Sequence, residues 1–270
     1  MNLALFQSPF AGLATHHGAE LTYLTADFDS NGWPQAARRR AVTLLRKAFS
    51  PHIAGDQHLA TLAQHGLDNH RDAPWSFAVP SAANFYPRAW LPPAVGRNRS
   101  SAEPDWAGDH VDGLGNLVSV YAATNPEPQG KEPAALHDGM AGYGIVRVDT
   151  AEREVTFECW PRWADPRTDP QYPGWPRTTR QLDQYGAEPA GFLDLTVLAD
   201  SPPALGPAVQ LHEESGELVY GLRLAAAVQR LPLHGTGPWV LTVQDPESGR
   251  SSSYPIPVPG EAPLELRAEL

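Results

Sequence analysis

The most regular pattern of apolar and polar positions in the chain is helical and lies in residues 35–48. Apolar residues recur there at intervals of three and four, which places them on one face of an α-helix. That face consists of Ala37, Ala41, Leu44 and Ala48. Arginine and lysine residues fill the other faces, and Pro34 suits the first turn of a helix. We therefore predict one helix here, with its apolar face against a core.

Extended segments dominate the rest of the first two thirds of the chain. An apolar run at residues 2–7 predicts a buried strand, and a second strand is predicted at 52–55, directly after the helix. Strands return at 117–122, 143–148 and 155–159, the last with strict alternation of apolar and polar residues. These short elements, with many proline and glycine residues between them, favour a β-rich fold over a helical one.

Two long segments between these strands lack such periodicity. Residues 90–115 are rich in Pro, Gly, Arg and Asp, which predicts a long irregular excursion. Residues 160–186 contain repeated prolines together with several Trp and Tyr residues. We interpret this second segment as an ordered loop that its aromatic side chains pack onto the domain.

A different pattern begins near Gly191 and continues to the last residue. Short alternating strands are predicted at 192–199, 207–212, 217–223, 239–244 and 252–257. Strands at such regular intervals are typical of a small antiparallel β-sandwich. The sequence thus predicts two domains, residues 1–188 and residues 189–270.

Composition excludes several functional classes for this chain of 270 residues. The net charge of -11 argues against nucleic acid as the main partner. Cys159 is the only cysteine, so an intrachain disulfide and a multi-cysteine zinc site are both excluded. No apolar run of about 18 residues is present, so no membrane span is expected. The first residues carry neither the basic region nor the apolar core of a signal peptide, and the sequence assigns no compartment.

The strongest chemical signal is Gly55-Asp56-Gln57-His58, which follows the predicted strand at 52–55. If the segment stays extended, Asp56 and His58 point to the same face. A carboxylate and an imidazole aimed together are two ligands of a metal site, or half of a hydrolytic centre. The alternatives are structural: a carboxylate that accepts backbone N–H groups in a turn, and a histidine that orients a ligand.

Several segments in order along the chain match a known family. They are Phe10-Ala11-Gly12-Leu13-Ala14-Thr15-His16-His17-Gly18, Asp27-Phe28-Asp29-Ser30-Asn31-Gly32-Trp33-Pro34-Gln35, Phe49-Ser50-Pro51-His52-Ile53-Ala54-Gly55-Asp56-Gln57-His58-Leu59, Trp75-Ser76-Phe77-Ala78-Val79-Pro80-Ser81, Gly142-Tyr143-Gly144-Ile145-Val146-Arg147 and Cys159-Trp160-Pro161-Arg162-Trp163. Over about residues 6–185 the chain resembles the C-terminal part of PhoD-like metallophosphatases, the alkaline phosphatase D group of the calcineurin-like phosphoesterases.

This resemblance implies a fold and a metal centre. The fold is α+β and β-rich, the C-terminal half of a calcineurin-like two-sheet β-sandwich with flanking helices. In that family a dinuclear centre of divalent or trivalent ions lies between the sheets, and iron, calcium, manganese and zinc are the candidate ions. The Gly-Asp-x-His motif supplies late ligands, which implies metal ligation by Asp56 and His58 here.

The resemblance also nominates residues for substrate binding and catalysis. His16 and His17 match a Thr-His-His-Gly segment of the family, and because adjacent residues of an extended chain point opposite ways, one of them is expected to line the site. We favour His17, since Gly18 allows the backbone to turn the ring inward; the alternative is a polar loop pair. Asp29 is a further metal candidate or an Asx-turn residue. Arg38 is expected to bind phosphate, to pair with Asp29 or to lie on a solvated helix face.

Two further features are interpreted as structural. Gly108-Asp109-His110-Val111-Asp112 matches the Gly-Asp-x-x-Asp pattern of the calcineurin-like superfamily, but it follows Gly-Asp-Gln-His instead of preceding it. We therefore interpret it as a chance match, although His110 could still line a pocket. Cys159 lies on an alternating apolar face and is interpreted as a packed residue, not a reactive one.

The chain departs from the family in its early motifs. A complete calcineurin-like site also needs an early Asp-x-His, an early Gly-Asp-x-x-Asp and a Gly-Asn-His-Asp/Glu, and the sequence has no properly placed copy of them. The expected function is metal-dependent hydrolysis of small phosphate esters, with this chain as the C-terminal portion, inactive until an N-terminal half-domain from the parent or another chain joins it. The alternative is a non-catalytic β-rich binding module.

Overall fold

A computed structural model describes residues 1–83, 86–199, 206–260 and 263–270. The chain is β-rich with few helices, as the sequence predicts. By its internal contacts it divides into a larger unit, Asn2–Arg46 with Ser50–Gly186, and a smaller unit, Ala187–Leu270 with Lys47–Phe49 and Met1. This division lies two residues from the boundary predicted at 188/189. No helix in the described part is both long and apolar enough to cross a membrane.

The larger unit contains twelve described strands, two helices and a 3₁₀ turn. They are β1 (Ala4–Leu5), β2 (His16–His17), β3 (Thr22–Tyr23), α1 (Gln35–Lys47), β4 (His52–Ala54), β5 (Thr61–His65), β6 (Trp75–Ala78), β7 (Arg88–Ala89), β8 (Gly108–Val111), β9 (Leu117–Ala123), α2 (Ala134–His137), β10 (Gly142–Asp149), β11 (Glu154–Pro161), β12 (Arg177–Arg180) and the 3₁₀ turn Leu182–Gln184. Lys47, the last residue of α1, is grouped with the smaller unit.

A six-stranded sheet forms the centre of this unit, in the order β1-β4-β6-β5-β9-β8. β1, β4 and β6 run parallel, whereas β5, β8 and β9 are joined by antiparallel pairing. Two three-stranded sheets complete the unit, β10-β11-β12 and β3-β2-β7. One core cluster packs Leu59 and Ala63 against Trp90, Val118 and Val120.

Helix α1 forms almost where the periodicity predicts, but the predicted buried face is wrong. Leu44 is 62% exposed, and the fully buried residues of the helix are Arg38 and Val42. Val42 packs with Phe10 in a second core cluster. The register differs because Arg38 enters the interior to bind backbone carbonyls, which an apolar pattern cannot reveal.

The prediction of a buried strand at residues 2–7 is also wrong, both in length and in burial. Only Ala4–Leu5 forms a strand, at the edge of the six-stranded sheet, and Leu5 is 74% exposed. Within the segment predicted as irregular, Gly108–Val111 forms β8. The aromatic segment after Pro161 is ordered, and it includes β12 and the 3₁₀ turn.

The smaller unit is built from two sheets of alternately buried strands. Its strands are β13 (Gly191–Leu198), β14 (Ala208–Glu213), β15 (Leu218–Arg223), β16 (Val228–Leu233), β17 (Trp239–Gln244), β18 (Ser251–Ile256) and β19 (Leu264–Glu269). The sheet orders are β16-β13-β19 and β15-β14-β17-β18.

Five of these seven strands are predicted by alternation, and β16 and β19 are not. The prediction of a purely antiparallel sandwich is wrong at one pair, because β13 and β19 run parallel. β19 alternates exposed Glu and Arg with half-buried leucines, so its apolar face is short and charged residues dominate its sequence. The unit therefore pairs its first strand with its last.

Candidate functional site

Asp56 and His58, the two predicted metal ligands, lie at the edge of the six-stranded sheet where β4 ends. Register places Ala54, Ala78, Thr61 and Ala123 in one row across β4, β6, β5 and β9. The parallel strands β4 and β6 both end at this row. Loops at the carboxyl ends of parallel strands are common places for ligand sites, because several such loops converge there. The Gly-Asp-Gln-His segment is the loop that leaves β4 at this edge.

This segment is a strained turn and not a continuation of the strand. β4 ends at Ala54, and Asp56 and His58 both adopt positive φ, 58° and 54°. The expectation that they share one face of a strand is therefore wrong, since the left-handed backbone redirects both side chains. Non-glycine residues held in this region often mark functional sites, where the surrounding structure compensates for the strain.

Buried Gln57 fixes the turn between these two residues. Its Nε2 donates to the Leu59 carbonyl oxygen at 2.9 Å and to Thr61 Oγ1 at 3.1 Å. Asp56 is exposed, and its Oδ2 accepts a hydrogen bond from Gln7 Nε2 at 3.0 Å. The turn thus holds Gln57 inward and Asp56 outward, with His58 half-buried.

Tyr86 connects His58 with His17. Tyr86 Oη lies 2.7 Å from His17 Nδ1, and the two rings have centroids 6.0 Å apart. The Tyr86 ring also lies 6.3 Å from the His58 ring, in a T-shaped arrangement. Two of the predicted site histidines, far apart in sequence, therefore lie next to the Tyr86 side chain. No local sequence pattern marks Tyr86 as a site residue, because it belongs to no periodic segment.

The sheet β3-β2-β7 separates the two adjacent histidines. His17 pairs with Arg88 and His16 pairs with Ala89 in the β2–β7 ladder, so the two imidazoles leave opposite faces of this sheet. His16 Nδ1 lies 3.2 Å from Thr15 Oγ1, and its ring packs edge-on against Tyr23. The structure thus brings His17, and not His16, to the Tyr86 cluster.

Asp29 and its neighbours bind the arginine beside His17. Arg88 forms an ion pair with the buried carboxylate of Asp27 and a longer one, 3.4 Å, with Asp29. The Asp29 side chain is 79% exposed. The turn carboxylate of this segment is Asp27, whose Oδ1 accepts the Asp29 backbone N–H. Asp29 therefore lies near His17 only through Arg88, and its predicted pairing with Arg38 is wrong.

The Arg38 side chain is buried and binds backbone carbonyl oxygens. It is 5% exposed, and its Nε and Nη1 donate to the carbonyl oxygens of Phe10, at 3.1 Å, and Gly66, at 2.8 Å. Burial lowers the pKa of its guanidinium to about 10, an effect that Asp112 and Asp72 partly oppose. The expectation of a solvated helix face is wrong for this residue, and its donors hold two backbone segments together.

The donors of Asp56 and His58 are of types that suit divalent and trivalent ions. Within residues 1–83, 86–199, 206–260 and 263–270, however, no group of three or more His, Cys, Asp or Glu side chains could hold a metal ion. The described donors thus do not make up a complete metal site, and we derive no reaction step through a metal. Cys159 is buried, which raises the pKa of its thiol, as expected for a packed residue.

Comparison with known proteins adds no relative to this picture. No protein-family model matches the chain, and no curated protein or solved structure shows significant similarity to it.

Replacing Asp56 by glycine is expected to stabilise the fold by about 0.5–1 kcal/mol, because glycine adopts positive φ without strain. The gain should appear in the free energy of unfolding from urea titration. Asp68→Gly is the matched control, since Asp68 is also an exposed aspartate but has no positive φ; it should lose stability. A loss of stability in Asp56→Gly would mean that the carboxylate supports the fold.

Proposed function

We propose that this chain takes part in metal-dependent hydrolysis of phosphate esters, as the C-terminal portion of a PhoD-like metallophosphatase. One observation carries the proposal: His17 and His58, from two separate segments that resemble the family, flank Tyr86 at the edge where parallel strands end. The positive φ of Asp56 and His58 supports it, because non-glycine residues held in this conformation are frequent at functional sites.

The residues of this chain can contribute proton transfer and orientation. The hydrogen bond between His17 Nδ1 and Tyr86 Oη fixes the imidazole and leaves Nε2 as its other proton-exchanging atom. A histidine so positioned can donate a proton to the leaving oxygen of an ester. The charge of Arg88 is offset by Asp27 and Asp29, so this arginine shapes the His17 sheet and is not assigned to the phosphate.

Metal ions would supply charge stabilisation and an activated water in such chemistry. Asp56 and His58 would be two of their ligands. The remaining ligands belong to the early family motifs that are not found in this sequence. In this proposal they come from an N-terminal half-domain, and the chain alone is inactive.

The test is turnover of p-nitrophenyl phosphate and bis(p-nitrophenyl) phosphate with manganese, iron, calcium or zinc. The 270-residue chain alone should give background rates, because two ligands cannot hold two metals. Adding the polypeptide encoded immediately upstream should produce metal-dependent turnover. Robust turnover by the chain alone would refute the half-site proposal. No turnover in the combined sample would refute phosphatase function and favour a binding module.

A further inference from the structure

A second site lies in the larger unit, in a segment that the proposed phosphatase chemistry does not use. A cavity of about 380 Å³ opens between residues 15–25, 90–97 and 109–113. It contains His110 of the Gly108-Asp109-His110-Val111-Asp112 segment, which the sequence suggested was a chance match. We call this cavity the His110 pocket.

The walls of the His110 pocket are mainly apolar and suit a flat ring. Its lining includes the buried Trp90 and the half-buried Pro92, together with the exposed Tyr23, Val95 and Val111. These last three side chains are 55%, 56% and 56% exposed. Large apolar side chains grouped in this way around a cavity are typical of a ligand-binding surface.

His110 supplies a polar group of defined character. Its Nε2 lies 3.1 Å from the Trp106 carbonyl oxygen and therefore carries the proton, because a carbonyl only accepts. Burial lowers the pKa of the imidazole, which keeps it neutral near pH 7. Nδ1 then presents a lone pair, and His110 is among the residues that line the cavity.

The carboxylates of the pocket already accept hydrogen bonds from the protein, and their negative charges disfavour binding of an anion. Asp109 accepts hydrogen bonds from Arg71, Asn98 and Ser119. Asp112 accepts the backbone N–H groups of Gly12, Leu114 and Asn116. Their charges remain beside the cavity, and the neutral His110 acceptor offers no proton to a carboxylate. Arg97, exposed at the edge, can donate to a neutral oxygen.

From these observations we propose that the His110 pocket binds a small neutral aryl alcohol. The ring lies against Tyr23, Trp90 and Pro92, the hydroxyl donates its proton to His110 Nδ1, and its oxygen accepts from Arg97. This inference goes beyond phosphate-ester hydrolysis and does not depend on it, because the pocket shares no residue with the His17–Tyr86–His58 cluster.

The test compares three ligands that share one ring and differ in one substituent: p-cresol, 4-methylanisole and p-toluate. Dissociation constants are measured for the full chain by ligand-observed NMR titration at pH 7.5. We expect p-cresol to bind about tenfold more tightly than 4-methylanisole, which has no proton to donate, and also more tightly than the anionic p-toluate. Equal affinity for p-cresol and 4-methylanisole, tighter binding of p-toluate, or no measurable p-cresol binding would overturn the proposal.

Variants locate the ligand without disturbing the core. Val111→Glu introduces a charge at the pocket opening and should weaken p-cresol binding at least about tenfold. Val228→Glu is the matched control, because Val228 is a similarly exposed strand valine, 68% exposed, in the smaller unit. Its p-cresol affinity should stay unchanged. Equal effects of the two variants, with both proteins folded by circular dichroism, would place the ligand elsewhere and contradict the assignment.

Discussion

Replacing His58 by alanine is expected to lower kcat/KM for p-nitrophenyl phosphate by at least about a hundredfold in the combined sample of this chain and its upstream half. His58 is held by a strained backbone against Tyr86, so its imidazole has one defined position at the sheet edge. His58 would hold one of the proposed metal ions, which would supply the activated water, so its loss would leave that ion without one ligand. The loss should appear mainly in kcat.

The control for this variant is His137→Ala. His137 lies in the last turn of the short helix α2 and belongs to none of the segments that resemble the family. It should leave turnover unchanged. Asp56→Gly should separate the two properties of the turn, because it is expected to increase stability and decrease turnover. A fully active His58→Ala protein would remove this histidine from the site.

Acidification from pH 7 to pH 4 is expected to lower the free energy of unfolding by about 3 kcal/mol through His52 alone. Burial lowers the pKa of His52 to about 4 in the folded protein, against 6.5 for the unconstrained side chain. Between these values the unfolded chain binds a proton that the folded chain does not, so stability falls as pH decreases below about 6.5. Well above that pH the imidazole is neutral in both the folded and the unfolded chain, so His52 no longer makes stability depend on pH.

His65 acts in the same direction. Its burial, the largest cause, and the charges of Arg38 and His52 all lower its pKa. The two imidazole centroids are 5.9 Å apart, and His52 packs against Phe10. Protonating either ring would put a charge into an apolar interior that has no carboxylate hydrogen-bonded to these rings in the described residues. The two histidines therefore reinforce each other in acid sensitivity.

Urea unfolding at pH 7, 5.5 and 4 measures this effect against a matched variant. His52 Nδ1 lies 2.9 Å from Ser76 Oγ, so His52→Phe is combined with Ser76→Ala to remove both partners of that hydrogen bond. The double variant should lose less stability on acidification than the parent, by about 3 kcal/mol. An identical pH dependence in the two proteins would show that His52 is not the group that titrates.

Local sequence patterns predict where helices and strands form better than they predict which of their faces are buried. The helix at Gln35–Lys47 follows from its periodicity and the preceding proline. Its buried face does not follow, because Arg38 compensates two backbone carbonyls, a need that arises only when residues 10 and 66 meet the helix. Strand β1 is exposed for a similar reason: an apolar run predicts extension, and only the sheet order decides that this strand lies at an edge.

The same limit applies to the candidate site. The residues Asp56 and His58 follow from the chemistry of one short segment, and their place after a strand is correct. Tyr86 and Arg88 cannot be predicted from a short local segment. Pairing of β2 with β7 brings them beside His17 from a distant part of the chain. The orientation of the Asp56 and His58 side chains could not be predicted for a different reason. The pattern of apolar and polar residues carries no information on the sign of the backbone angle φ.

The parallel pairing of β13 with β19 has a consequence during protein synthesis. Leu193 pairs with Leu264 and Leu198 with Glu269, so the first strand of the smaller unit obtains this neighbour only after residues 264–269 have left the ribosome. Until then β13 presents an unpaired edge on that side, and such edges associate readily with other extended chains. Contacts between residues so distant in sequence also form slowly. The nascent smaller unit is therefore exposed to chaperones and to aggregation until β19 has been synthesised.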